Sequence, residues 1–332
     1  MKIAIDAMGG DRAPEIVVEG AILAAREYEV TIIFVGQPEA IEQELKKYGN
    51  LSDLKYDIVP ASQVIKMDEH PVEALRKKRD SSISVATRLI KSGEAEAVVS
   101  AGSTGAAMAA AKIILGPLKG IKRPAIATIL PNHNDNLTVV IDSGANVDCD
   151  PINLVEFAIM GQIYAEDILG NKSAKVGLLS IGEEQTKGNK IIFETHDLLS
   201  QAPINFIGNV EGRDVFNGTV DVVVCDGFVG NILLKVTEGV ANMIMSAMRT
   251  EFNRNVMTQF GAMFVKPALR RFKKRFDDSE YGGAPLLGVK GTFIIAHGGS
   301  SANAIKNAVR VASESVIHNV NAHIESKLLA MG

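Results

Sequence analysis

"IDAMGGDRAPE", residues 5–15, runs from an apolar stretch through a glycine turn to a proline placed where a helix can begin. A strand that ends in glycines and leads into a helix is one βα unit, and the glycines let a ligand, commonly a phosphate, approach the backbone. The spacing matches neither G-x-G-x-x-G nor the P-loop, so neither nucleotide fingerprint explains it. The rest of the chain repeats the unit. "KIAID" (2–6), "VTIIFVG" (30–36), "LKYDIV" (54–59), "AEAVVS" (95–100), "AKVGLLSIG" (174–182), "INFIGNV" (204–210) and "VDVVVCD" (220–226) read as strands. Helical windows at 14–27, 83–92, 151–168 and 189–200 lie between them. Most of the strand runs are continuously apolar, as in strands buried on both faces of a parallel sheet.

The expected fold is therefore three-layer α/β/α around a mainly parallel sheet, with residues 1–332 as a single catalytic α/β unit. "PAIATILPNHNDNLTVVID" (124–142) carries two strand-like runs about a polar tip and reads as an antiparallel hairpin. Residues 228–280 contain no strand pattern and are expected to form a protruding helical segment.

Bulk properties narrow the class. With 46 % hydrophobic and 22 % charged residues, the chain can bury a large core. A net charge of −4 supplies no global basic field and argues against nucleic acid as a partner. No apolar h-region opens the chain, and no uninterrupted apolar run approaches the ~18 residues of a membrane span. Cys149 and Cys225 form no CxxC pair, so neither a zinc site nor a disulfide framework is suggested. A cytoplasmic, reducing location is the simplest expectation.

Six strand ends carry glycine beside a small polar residue: "DAMGGD", "SAGSTGA" (100–106), "DSGAN" (142–146), "IGEEQTKGN" (181–189), "DGFVGN" (226–231) and "HGGSSANA" (297–304). In open α/β sheets ligands bind beyond the carboxyl ends of strands, and an edge lined with N–H groups and hydroxyls suits an anion. The candidate binding residues are Asp6, Gly9, Gly10, Asp11, Gly102, Ser103, Thr104, Asp142, Asn146, Asn189, Asp226 and Ser300. "EALRKKRDSS" (73–82) adds Arg76 and Lys78 beside Ser81 and Ser82, with Lys77 and Arg79 read as solvated. Lys235, beside "DGFVGN", is a further cation. Lys187, Asn231 and His297 are the candidate catalytic donors. Asp6 and Asp11 are expected to orient donors, because carboxylate against phosphate is repulsive. Cys225 reads as core, and Cys149 has no histidine near it in sequence.

The helical segment has an amphipathic pattern. Met245, Met248, Phe252, Val256, Phe260 and Met263 recur at helical spacing, and Pro267 is expected to open a second helix. There Ala268, Leu269, Phe272 and Phe276 share one face, with Arg270, Arg271, Lys273, Lys274 and Arg275 on the rest. Phe260, Phe264, Leu269, Phe272 and Phe276 are the candidate membrane contacts. Docking of an acidic partner and packing at a subunit interface are the alternatives.

"DAMGGDRAP", "SAGSTGA", "DSGANVD", "GEEQTKGN", "DGFVGN", "YGGAPLLG" and "AHGGSSANAIKNA" together resemble the bacterial acyl-carrier-protein:phosphate acyltransferases, the PlsX family of phospholipid synthesis. The resemblance runs from residue 2 to about residue 320, with Ser103 standing where the family usually has asparagine. It implies transfer of a long-chain acyl group from acyl carrier protein (ACP) to inorganic phosphate. The products would be free ACP and an acyl phosphate that feeds a membrane glycerol-3-phosphate acyltransferase. It also implies an isocitrate/isopropylmalate dehydrogenase-like fold shared with phosphotransacetylases, a homodimer, and peripheral attachment to the membrane.

The residues suit that chemistry. Phosphate attack on a thioester needs an oriented anion and donors for the developing oxyanion, with no metal, cofactor or covalent nucleophile. A decarboxylating dehydrogenase would need a carboxylate cluster, and Asp221 and Asp226 point to opposite faces of one strand. A phosphotransacetylase acting on acyl-CoA, or a regulator that binds acyl or phosphate ligands without turnover, are the remaining alternatives.

Overall fold

The computed structural model describes residues 1–133, 136–275 and 278–330. Its strands are β1 (Lys2–Asp6), β2 (Thr31–Gly36), β3 (Tyr56–Pro60), β4 (Ala97–Ser100), β5 (Ala125–Pro131), β6 (Leu137–Ile141), β7 (Val176–Leu179), β8 (Phe206–Val210), β9 (Val222–Val224), β10 (Ala284–Leu287) and β11 (Thr292–Ile295). They form one 11-stranded sheet in the order β3-β2-β1-β4-β11-β10-β5-β6-β9-β7-β8. The expected strands are all present. The exception to the reading is β10, whose "APLL" is too short and too proline-marked to show as a strand in sequence.

Helices cover both faces of the inner strands, which is why these are largely apolar, while the edge strands β3 and β8 stay partly exposed. Ile3, Ile5, Ile32 and Phe34 pack beneath the helices Glu15–Glu27 and Ala302–Ile317, while Ala4, Ile33 and Val98 pack beneath Ser82–Ser92. In the other half, Val139, Ile141, Val176 and Val222 meet the helix Pro151–Ile168, and Val140, Val223 and Cys225 meet Leu233 and Leu234. Each such fully buried large side chain contributes roughly 1.5–3 kcal/mol relative to exposure.

The pairing directions place the site. β1, β2, β3, β4 and β11 are mutually parallel, and so are β6, β9, β7 and β8. Three antiparallel steps, β11–β10, β10–β5 and β5–β6, join the two sets, so the sets run in opposite directions. Yet their carboxyl ends meet. Ile295, at the end of β11, pairs with Ala284; two residues on, Leu286 pairs with Ile126; and Ala127 pairs with Ile141, the end of β6. The two halves overlap by only a few residues, so turns from both sets open on one central seam.

The helical segment departs from its reading. Helix Gly227–Phe252 is followed by helix Val256–Arg275, so the break falls at Asn253–Asn255 and Pro267 lies inside a helix. Asn255 explains the break: its Oδ1 accepts Thr258 N–H at 3.0 Å, and Thr258 Oγ1 accepts Asn255 N–H at 3.2 Å, a reciprocal N-terminal cap. Pro267 has no N–H to donate, which leaves one carbonyl a turn earlier without its helical donor on an exposed helix. Helix Gly227–Phe252 is also long and apolar enough to cross a bilayer by length and composition, despite Lys235 and Glu238. Averaged hydropathy finds this where a search for unbroken apolar runs does not.

Candidate active site

The strand-end turns fall into two interlocked groups. In the first, Gly9 sits so close to β4's turn that an added Cβ would lie 2.8 Å from the Gly102 nitrogen. Gly10, at φ +122°, backs onto Ala101 and Gly298, and Asp11 N–H donates to Gly298 O at 2.9 Å. "DAMGGD", "SAGST" and "HGGSS" therefore form one body at the ends of β1, β4 and β11. In the second group, Gly227 N–H donates to Asn146 O at 2.7 Å. A Cβ on Gly230 would stand 1.9 Å from the Asp142 carbonyl oxygen, so only glycine lets these turns close.

Asp142 organises the second body. Its carboxylate accepts the N–H groups of Ile126, Gly144, Ala145 and Asn146 at 2.7–3.2 Å, and the Asn146 amide at 2.9 Å. Burial raises its pKa and those donors oppose the rise. With every donor internal, Asp142 shapes the loop. Asn146 also donates to Pro124 O, and Asp226 caps the long helix by accepting Val229 N–H at 2.9 Å.

Between the bodies lies a cleft of about 440 Å³. Thr104, Asn231 and His297 give it polar lining, and the Ser143 hydroxyl in its wall already donates to Ile126 O at 3.1 Å. Ile126, Ile129, Leu234 and Pro285 form apolar wall, and Lys235 and Glu238 stand paired at 2.8 Å on its rim. His297 Nδ1 accepts the Gly299 N–H at 3.1 Å, so the neutral ring carries its proton on Nε2 and is a donor there. Ser300 N–H donates to His297 O at 2.9 Å and holds the same turn.

The other candidates lie elsewhere. Lys187 is exposed in the β7 turn and is not among the cleft-lining residues; its carbonyl accepts Ser180 Oγ at 3.1 Å. Asn189 caps helix Lys190–Leu199 through Ile192 N–H. Lys78 is tied to Glu69 and to Val64 O, Arg76 is exposed, and Ser81 is buried against Ser84. Ser82 and Ser103 line a small cavity beside Asp6. Burial pushes the Cys149 thiol up to about 11 and raises the Cys225 thiol well above its ordinary value, which disfavours either as a thiolate. Among the candidate membrane contacts, Phe260, Phe264 and Phe272 are exposed and Leu269 is half-buried, while Phe276 lies outside the described residues.

Thr128, Ser143 and Glu238 line the cleft without having been singled out. Thr128 and Ser143 share a hydroxyl–hydroxyl bond of 2.7 Å across the hairpin. Only the strand register brings them together, and no local motif announces it.

The chain was compared with known proteins. The family described as "Fatty acid synthesis protein" matches residues 1–323. A phosphate acyltransferase of Pelotomaculum thermopropionicum is 54 % identical over 99 % of this chain and 95 % of its own length. That of Heliobacterium modesticaldum is 53 % identical, over 99 % and 98 %. A phosphotransacetylase from Streptococcus pyogenes superposes with a TM-score of 0.68 at 20 % identity, covering 96 % of this chain and 94 % of that one. A 4-hydroxythreonine-4-phosphate dehydrogenase from Klebsiella pneumoniae gives 0.55 at 12 %, covering 95 % and 99 %, so these two likenesses speak to the fold alone. With near-complete coverage at this identity, the chain belongs to the phosphate acyltransferase (PlsX) family.

Proposed function

We propose that this acyltransferase moves a long-chain acyl group from ACP to inorganic phosphate, giving acyl phosphate and free ACP for membrane phospholipid synthesis. The observation that carries the reading is the seam cleft, where apolar wall and convergent neutral donors share one space. Ile126, Ile129, Leu234 and Pro285 suit an acyl chain, and His297, Asn231 and Thr104 suit the carbonyl oxygen and leaving sulfur. A phosphate oxygen attacks the thioester carbon and builds negative charge on the carbonyl oxygen. The tetrahedral adduct then collapses, the C–S bond breaks, and His297 Nε2–H can protonate the departing thiolate. Aligned donors of this kind lower such barriers by about 3–4 kcal/mol each.

The exposed helices support a membrane-associated homodimer. Phe228, Ile232, Val236, Val240 and Ile244 form an exposed apolar stripe along Gly227–Phe252, suited to a second copy. Phe260 and Phe264, 63 % and 79 % exposed, suit a lipid surface.

The test is release of ACP thiol from palmitoyl-ACP by the purified chain, with and without phosphate. Phosphate-dependent release with an equal amount of hydroxylamine-reactive acyl phosphate is expected. Release indifferent to phosphate, or a marked preference for palmitoyl-CoA, would overturn the choice of substrates.

A further inference from the structure

Beside the cleft lies a second cavity, of about 10 Å³, the room of one water-sized group. Asp6, Ser82, Ser100, Gly102 and Ser103 line it. Ser103 belongs to this cavity and its neighbour Thr104 to the cleft, so the two spaces adjoin. Asp6 is 3 % exposed, and its Oδ2 accepts Ser100 Oγ at 2.7 Å. Its Oδ1 is buried and makes no hydrogen bond of normal geometry, while the Ser82 hydroxyl and the Met8 N–H lie close enough to the carboxylate to favour its charged form.

A buried carboxylate oxygen without a donor is costly, and such groups in native proteins normally find a partner. The missing partner must bring a proton. It must also tolerate the N-terminus of the 11-residue helix Ser82–Ser92 nearby. There the cap residue Ser81 makes no side-chain bond to the helix backbone, so the positive end of the helix dipole is not offset by a cap. A neutral or cationic donor would gain nothing from that end. An anion that still carries a proton satisfies both demands.

We infer that Asp6 Oδ1 receives the P–OH of hydrogen phosphate, the nucleophile of the acyl transfer, and thereby selects protonated oxyanions. The inference rests on the cleft being the acyl-transfer site. One hydroxyl oxygen fills the small cavity, the Ser82 and Ser103 hydroxyls serve the oxygens at its mouth, and the rest of the anion faces the cleft. This revises the expectation that Asp6 only orients donors: the repulsion between carboxylate and phosphate is relieved by the anion's own proton. At neutral pH inorganic phosphate and arsenate keep a proton. Sulfate, of the same shape and charge, has none and would set oxygen lone pairs against Oδ1.

The test is direct binding of phosphate, arsenate and sulfate to the full chain by isothermal titration, without acyl donor. Phosphate and arsenate should bind roughly 10- to 100-fold tighter than sulfate, the ratio expected of one charged hydrogen bond. In Asp6→Asn, whose amide can donate, the phosphate-to-sulfate ratio should fall by at least about tenfold. Equal binding of sulfate and phosphate by the wild type, absence of phosphate binding, or a ratio unchanged in Asp6→Asn would each overturn the inference. Should Asp6→Asn fail to fold, the wild-type series alone decides, with Ser82→Ala expected to weaken phosphate severalfold. Turnover is scored separately. Selective binding without acyl transfer would refute the proposed reaction and leave the site standing, whereas phosphate-dependent transfer without selectivity would do the reverse.

Discussion

In the proposed reaction His297 depends on Gly299, whose N–H occupies Nδ1 and leaves Nε2 as the donor of the neutral ring. His297→Ala should lower kcat roughly 10²- to 10⁴-fold, the range of a lost acid–base group, with a smaller change in KM; steady-state thiol release reads both. Asp6 makes a prediction of the opposite sign for stability. Burial raises its pKa above 3.8, so the native state holds the proton more tightly than the unfolded chain. The wild type is then best off at low pH and loses that advantage as pH rises through the native value. In phosphate-free buffer, Asp6→Asn should gain in Tm relative to wild type as pH rises through the range just above about 4. A Tm difference that stays flat across this range would count against a raised pKa. Much of this residue-level detail was legible in the sequence as glycine beside a small polar group. Lys187 and Lys78 looked equally promising there, because a cation next to a turn does not reveal whether it faces the ligand, the solvent or, as Lys78 does, Glu69.

Turns and helices make their own predictions. Gly230→Ala would drive a methyl group into the Asp142 carbonyl and force the two turns of the second body apart. A loss of about 1–3 kcal/mol or more is expected, together with activity, readable by denaturant unfolding and thiol release on the same sample. Replacing Phe260 and Phe264 with serine should reduce sedimentation with anionic vesicles several-fold and leave turnover on soluble palmitoyl-ACP near wild type; unchanged sedimentation would place the membrane contact elsewhere. The helical segment also shows why boundaries were the weakest part of the sequence reading. Pro267 was the conspicuous breaker, yet the chain stops a helix at Asn253–Asn255, where Asn255 and Thr258 satisfy each other's backbone. A reciprocal cap competes locally with helix continuation, whereas a proline on an exposed helix forfeits one bond and little packing.

Across the whole molecule, alternation of apolar strands and helices disclosed the class of fold, because strands buried on both faces need no polar partners. The opposition of the two strand sets was not legible. It depends on β10, four residues long, pairing with β11 through Ala284 and Pro285 and with β5 through Leu286 and Leu287. The apolar stripe on Gly227–Phe252 carries the remaining prediction at this scale. Ile232→Asp with Val236→Asp should convert a dimer to a monomer in sedimentation equilibrium at micromolar concentration, and a double variant that still sediments as a dimer would exclude this stripe as the contact.

The bridge through β10 and β11 also bears on how the protein is made. β4 and β5 are synthesised early, yet their sheet neighbours are residues 292–295 and 284–287. At ordinary translation rates the ribosome needs roughly 10–30 s to travel from the end of β5 to β11. For that interval two hydrophobic strands have unpaired edges facing each other, with the future seam between them. The nascent chain is then most exposed to mispairing along the same line that later becomes the seam cleft, and folding helpers would be needed there more than at either outer edge.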